Sequence, residues 1–220
     1  MREALEAKSQ IAVGYSLDPI RTLVPDFMNE VGELLARAPA PTRTPFSIIE
    51  KRLRSLCRTS EELGKNVEVA RVLDRYFAQE NPISRRLRIG TLTVGVGEFV
   101  RFWLPSYYVS EDGPVLTYFD PRGSGGLTPL GRSAVYAFMH HGIRVADPDF
   151  QEATLRILQV PRNDVGHRYK RTFDWAGESL VDFEDLNAQV RLTYRIWAEV
   201  QASKDQERPA RSAPGQGRLF

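Results

Sequence analysis

Cysteine is almost absent from this chain of 220 residues, in which Cys57 carries the single thiol. One thiol excludes an internal disulfide and any zinc site built from paired cysteines. Cys57 stands among apolar residues, so we expect a structural thiol in a reducing compartment. The cysteine content is typical of a cytoplasmic protein.

Long apolar runs are missing as well. No stretch approaches the roughly 20 apolar residues that a membrane span needs, and the first residues include Glu3 and Glu6 instead of the apolar run of a signal peptide. The sequence therefore predicts a cytoplasmic location and no membrane partner.

An excess of one charge is also lacking, because 30 Lys and Arg face 28 Asp and Glu for a formal net charge of +2. So small a net charge does not indicate nucleic-acid binding, and any DNA affinity must come from local clusters. Glycine motifs for nucleotides are incomplete too, since Gly95-Val96-Gly97 lacks the third glycine of a dinucleotide site. Hydrophobic residues, by contrast, are abundant: they make up 42% of the chain, enough for the core of one folded domain.

The first third of the chain has the apolar spacing of helices. Apolar residues recur every three or four positions over residues 19–38, and a proline-rich connector, residues 39–45, ends that pattern. Two more helices are predicted over residues 46–57 and 60–79, the second opened by a cap at Thr59. We therefore expect an N-terminal helical region over residues 1–81.

From residue 82 the pattern changes to alternation and β-branched residues. We predict strands at residues 92–96, 99–104, 107–109 and 115–119, a helix at 129–145, a strand at 152–161 and a last helix at 180–202. The predicted class is α+β: N-terminal helices, then a mixed sheet flanked by helices over residues 82–202.

Residues 203–220 are rich in Pro, Gly, Ser and charged residues, which predicts a disordered tail. The sequence nevertheless closes on two large apolar residues, within Gln216-Gly217-Arg218-Leu219-Phe220. This pentapeptide resembles the Gln-x-x-Leu-Phe motif through which bacterial replication and repair proteins bind the DNA sliding clamp. The resemblance implies that Leu219 and Phe220 enter an apolar pocket of the clamp while Gln216 makes polar contacts beside it. Gly217 departs from the Leu often found at the second position, which implies weaker binding.

The order of elements from residue 81 to 161 resembles the PD-(D/E)XK nuclease, or restriction-endonuclease-like, fold. Leu104-Pro105-Ser106 and Asp120-Pro121-Arg122 stand where its two motifs stand. The resemblance implies that Asp120 is a catalytic metal ligand, and that Mg²⁺ is the cofactor only if the protein is a nuclease. It also implies that Arg122 takes the place of the catalytic Lys and that Glu98 or Glu80 offers a second oxygen ligand.

Two departures weaken the catalytic interpretation. Ser106 replaces the first acid, and Arg122 does not lose its proton as a Lys can. The alternative is that residues 120–123 simply end a strand in a turn, for which Asp, Pro and Gly are expected. We favour the turn.

A stretch of positive charge interleaved with aromatic residues runs from residue 162 to 175. The candidate nucleic-acid-binding residues are Arg162, Arg168, Lys170 and Arg171, beside His167, Tyr169 and Phe173. Such stretches are more often solvated surfaces.

Three functions remain open. The leading hypothesis is a clamp-binding protein recruited to, or competing at, replicating or repaired DNA. The alternatives are a clamp-targeting replication inhibitor, that is a toxin, and a metal-dependent endonuclease delivered to DNA by its tail.

Overall fold

Helices open the chain in the computed structural model, which describes residues 15–29, 43–87, 91–95, 98–101, 104, 106–177 and 180–207. Within these ranges the N-terminal helices are α1 (Asp18–Thr22), α2 (Val24–Phe27), α3 (Phe46–Leu56) and α4 (Ser60–Glu80). The predictions at 46–57 and 60–79 are confirmed. The predicted cap is confirmed too, since the Thr59 side chain accepts a hydrogen bond of 3.1 Å from the Glu62 backbone N–H.

The long helix predicted over residues 19–38 is wrong in its first half. Leu23 separates α1 from α2, and Asn29 has a φ of 50°, outside the helical region. Pro25 explains the break, because a proline inside a helix lacks the backbone N–H and its ring clashes with the carbonyl one turn earlier. Residues 30–38 lie outside the described residues.

A mixed sheet of five strands follows, with a separate two-stranded ribbon. The strands in chain order are β1 (Ile83–Arg86), β2 (Thr91–Gly95), β3 (Glu98–Arg101), β4 (Ser106–Ser110), β5 (Gly113–Asp120), β6 (Thr154–Gln159) and β7 (Arg171–Asp174). The sheet order is β1-β4-β5-β6-β7, in which β5 and β6 are parallel and the other neighbours antiparallel; β2 pairs with β3 alone. The predicted α+β class is confirmed.

The crossover between the parallel strands holds the remaining short elements. It runs through helix α5 (Pro129–Met139), a π-helical turn (His140–Arg144) and a 3₁₀ turn (Pro148–Phe150) before β6 begins. Parallel neighbours need such a crossover, because a tight turn cannot return the chain in the same direction. Helix α6 (Phe183–Glu207) follows β7 and extends five residues past its predicted end at 202. None of the described helices is both long and apolar enough to cross a membrane.

Side-chain alternation along the central strands buries both faces of the sheet. Val115 and Phe119 of β5 join the N-terminal cluster, the apolar core beneath α1 to α4, whereas Leu116 joins the C-terminal cluster beneath α5 and α6. On β6, Leu158 and Ile157 divide between the two clusters in the same way. A strand buried on both faces is mostly apolar, which is why apolar side chains dominate residues 115–119, with the buried Thr117 among them.

Arg156 on β6 joins the helical layer to three strands. Its Nη1 donates to the hydroxyls of Tyr76 on α4 (3.1 Å) and Tyr108 on β4 (2.6 Å), and its Nε and Nη2 bind Asp174 on β7 at 2.6 and 2.7 Å. Burial raises the pKa of Tyr108 above its ordinary value, and the Asp174 hydrogen bonds raise the pKa of Arg156. The guanidinium therefore stays charged beside a neutral phenol.

Replacing Tyr108 by Phe should lower the free energy of unfolding by about 1.5–3 kcal/mol, the usual contribution of a hydrogen bond to a charged group. Chemical denaturation measures the loss. Tyr169→Phe is the matched control, because Tyr169 is 41% exposed and should change stability by less than about 0.5 kcal/mol. Equal stability of the two variants would contradict the role of Arg156.

Candidate functional site

Asp120 ends β5 as a buried carboxylate whose two oxygens already have partners. The residue is 1% exposed. Arg122 donates to it through Nε (2.7 Å to Oδ1) and Nη2 (3.0 Å to Oδ2), and Gln159 donates through Nε2 (2.8 Å to Oδ2). Gln159 reaches it because the parallel register places Gln159 directly opposite Asp120. Asp120 and Arg122 thus form a bidentate ion pair, and the Gln159 amide donates a third hydrogen bond to the carboxylate.

The charge state of the pair follows from these contacts. Burial alone would raise the pKa of Asp120, but the hydrogen bonds from Arg122 and Gln159 outweigh it and hold that pKa below its ordinary value. The same ion pair raises the pKa of Arg122. Asp120 is therefore ionised at neutral pH and neutralised by its own neighbour.

The residues around Asp120 do not fit the predicted magnesium site. A metal ion would have to displace the Arg122 guanidinium from the carboxylate. Glu98 begins β3, in the separate ribbon, and its side chain lies outside the described ones. Ser106 lies about 10 Å along the sheet from Asp120, since β4 begins there and Tyr107 pairs with Leu116.

Glu80 offers no second oxygen either, because α4 packs on the N-terminal cluster whereas Asp120 alternates to the other face of the sheet. Among the described residues, no group of three His, Cys, Asp or Glu side chains is placed to hold a metal ion. Asp120 and Arg122 thus have the contacts of a structural ion pair, and catalytic roles for them and for Glu98 remain a prediction without support from this geometry.

The glycine-rich loop after Asp120 provides room for two buried polar side chains. A Cβ atom on Gly123 would lie 2.8 Å from Nη1 of Arg168, and one on Gly126 would lie 2.9 Å from Nε2 of Gln159. Both distances are below van der Waals contact. A side chain at either position would require the end of the Arg168 or Gln159 side chain to shift, so the glycines allow these two side chains to pack closely against the loop.

The four predicted nucleic-acid-binding residues do not form one surface. Arg162 and Arg168 face α4, and Lys170 places Nζ 4.7 Å from the centroid of the Tyr76 ring on the same side. Arg171 points the other way, with its guanidinium 4.7 Å from the Phe173 ring, which packs against the C-terminal cluster. Lys170 immediately precedes β7, so the side chains of these two consecutive residues contact opposite faces of the sheet.

Arg168 departs furthest from the surface role predicted for it. Its side chain is 3% exposed, and Nη1 donates to the backbone carbonyls of Pro121 (2.9 Å) and Val160 (2.7 Å). It therefore ties the loop after β5 to the end of β6. Such a role was not visible in the sequence, where Arg168 stands in an exposed basic stretch.

The predicted clamp-binding residues Gln216, Leu219 and Phe220 lie outside the described residues. Helix α6 ends at Glu207, nine residues before Gln216. The predicted tail is wrong over residues 203–207, which continue α6, and its remaining residues lie outside the described ones.

Comparison with known proteins identifies a family. The model of a family described as "Sliding clamp-binding bacterial toxin SocB" matches residues 1–207. The chain is 28% identical over 193 residues to the DNA replication inhibitor toxin SocB of Caulobacter vibrioides (strain NA1000 / CB15N), covering 88% of this chain and 79% of that protein. No solved structure matches the chain. The nuclease-like resemblance is thus not confirmed.

Changing Asp120 to Asn should destabilise the fold by roughly 1–3 kcal/mol at pH 7, because the Arg122 guanidinium loses its ionised partner. The loss should shrink as pH falls. The depressed pKa of Asp120 means that its stabilising contribution is complete above about pH 4 and disappears as the wild-type carboxyl is protonated. Denaturation curves at pH 7 and pH 3 measure the difference.

A difference between wild type and D120N that does not change with pH would contradict the ion-pair assignment. Glu184→Gln provides a control, because Glu184 is an exposed acid on the first turn of α6.

Proposed function

We propose that this chain, which belongs to the SocB family of sliding clamp-binding bacterial toxins, inhibits DNA replication in the cytoplasm by binding the bacterial sliding clamp. The observation that carries the proposal is the family match across residues 1–207. A relative of similar extent that is named a DNA replication inhibitor toxin supports the inhibitory outcome. Of the functions left open by the sequence, the inhibitor is therefore favoured over a recruited repair or replication factor.

The finer part of the proposal assigns clamp contact to residues 216–220. Leu219 and Phe220 would bury their side chains in an apolar pocket of the clamp, and Gln216 would bind beside them. Support comes from the match of these three residues to the Gln-x-x-Leu-Phe pattern. An occupied pocket is closed to other proteins that carry the same peptide, so competition alone accounts for inhibition without an enzymatic step.

The free energy gained by burying the two apolar side chains is too small for tight binding, which indicates a second contact with the clamp. Burying one Leu and one Phe yields roughly 3–6 kcal/mol, whereas micromolar affinity needs about 8 kcal/mol. A tethered second contact raises the overall affinity, because the first contact holds it at a high local concentration. The part of the chain that the family model matches, residues 1–207, is the available source of that contact.

A nuclease delivered to the clamp is not favoured. The one buried acid at the corresponding strand end, Asp120, is neutralised by Arg122 and Gln159. We therefore assign no cofactor to the chain and attribute its toxicity to occupation of the clamp.

Replacing both Leu219 and Phe220 by Ala should weaken binding to purified clamp at least about 100-fold, since each buried side chain contributes roughly 1.5–3 kcal/mol. Surface plasmon resonance with immobilised clamp measures the dissociation constant. Growth inhibition on expression should fall with the affinity.

Arg211→Ala together with Arg218→Ala is the matched control, because it changes two residues of the same segment without touching the apolar pair. Unchanged affinity of the Leu219 and Phe220 variant would move the clamp contact into residues 1–207 and leave the family function standing. Absence of clamp binding by the wild-type chain would overturn the function itself.

A further inference from the structure

A cationic cleft lies between α4 and the loop that joins β6 to β7. Its volume is about 350 Å³, and the residues that carry the argument are Glu68, Arg71, Arg75, Arg162, His167 and Arg168. The α4 residues share one side of the helix because they are spaced by three, four and seven positions. None of them belongs to the predicted clamp peptide.

The loop wall of the cleft is fixed by backbone contacts. Arg162 and Arg168 form a β-bridge, and Asn163 closes the turn by accepting hydrogen bonds of 2.9 Å from Gly166 N through its carbonyl and 2.8 Å from His167 N through its side chain. Gly166 has a φ of 84°, a conformation that favours glycine. The two loop arginines are therefore held in place before any ligand arrives.

Two of the guanidinium groups have capacity for a ligand. Arg168 is 8% exposed as a residue, and its Nε is buried with no hydrogen-bond partner among the described residues; the nearest acid, Oε2 of Glu68, is 4.0 Å away. The exposed Arg71 side chain likewise has no bond to another side chain in the part of the chain that the structure describes. A buried donor left unpaired costs free energy that an acceptor would recover.

Acidic groups do not cancel the positive charge. Among the described residues that line the cleft, Glu68 is the one acid against four arginines, and it pairs with Arg162. Asp164 stands at the exposed tip of the loop, outside the lining. Burial and the neighbouring Arg162 lower the pKa of Arg168, because both disfavour its positive charge.

We propose that this cleft binds phosphate groups, and that their source is the backbone of a nucleic acid. Guanidinium forks match phosphate oxygens in geometry and charge. Arg71 and Arg75 are one helical turn apart, about 6 Å along α4, which gives a row of cations instead of a single point. Lys170, beside Tyr76, continues that row toward β7.

A free nucleotide is the less favoured source, because the described residues of the lining include no Phe, Tyr or Trp and offer a base only the exposed imidazole of His167. The inference goes beyond clamp binding, and nothing in it depends on residues 216–220. It also replaces part of the sequence prediction: Arg71 and Arg75 join Arg162, Arg168 and Lys170, whereas Arg171 lies on the other face of the sheet.

The test uses the full-length chain with Arg71→Gln and Arg75→Gln combined, and fluorescence anisotropy of a labelled DNA duplex of about 20 base pairs. Each lost phosphate contact lowers the slope of log affinity against log salt by about 0.9, so the double variant should reduce the slope by about 1.8. The variant should also bind more weakly at every salt concentration.

The matched control is Lys51→Gln with Arg54→Gln, which removes two exposed cations from α3 and should leave the slope unchanged. The same measurement with labelled ATP tests the other source of phosphate. Binding of ATP but not of the duplex would overturn the nucleic-acid assignment. Failure of both probes to bind, or a double variant that binds like the control, would overturn the phosphate site.

Discussion

The parallel pairing of β5 with β6 is the contact on which the described structure depends. Its register sets Gln159 opposite Asp120, so that an acid at a strand end is neutralised inside the domain. The same pairing points Arg156 at Tyr76 and thereby fastens α4 to the sheet. Because α4 is fastened there, the loop after β6 meets its outer side and forms the cationic cleft. This one strand pairing thus leads both to the neutralisation of Asp120 and to the placement of the cationic cleft.

Two parts of the molecule are proposed to bind by different means, the terminal peptide by apolar burial and the folded domain by charge. An apolar peptide can occupy a pocket on the clamp, but a Leu and a Phe alone supply too little free energy for tight association. The folded domain offers charge and shape instead, with four arginines lining a cleft on its surface. A chain that contacts a protein partner and phosphate at the same time gains affinity through the link between the sites. Inhibition then follows from occupancy and needs no turnover.

Much of the fold was predictable because its signals are local. Helices α3 and α4 show apolar spacing and a cap at Thr59, and β5 is mostly apolar from Val115 to Phe119. Strands β1 and β7 were missed, since edge strands carry charges such as Arg85 and Arg171 that hide the alternation. The distant partners of Asp120 and Arg168 could not be predicted: Gln159 is 39 residues from Asp120, and Pro121, whose carbonyl accepts from Arg168, is 47 residues from it. Such contacts are set by strand register, which single residues do not encode.

Clamp binding through residues 216–220 is the central claim, and competition by a free peptide tests it most directly. A synthetic peptide of residues 208–220 would be titrated into a preformed complex of the full-length chain and purified clamp, followed by anisotropy of a label on the chain. The account predicts complete displacement by the natural peptide and none by a peptide with Ala in place of Leu219 and Phe220. A complex that survives saturating natural peptide would contradict it.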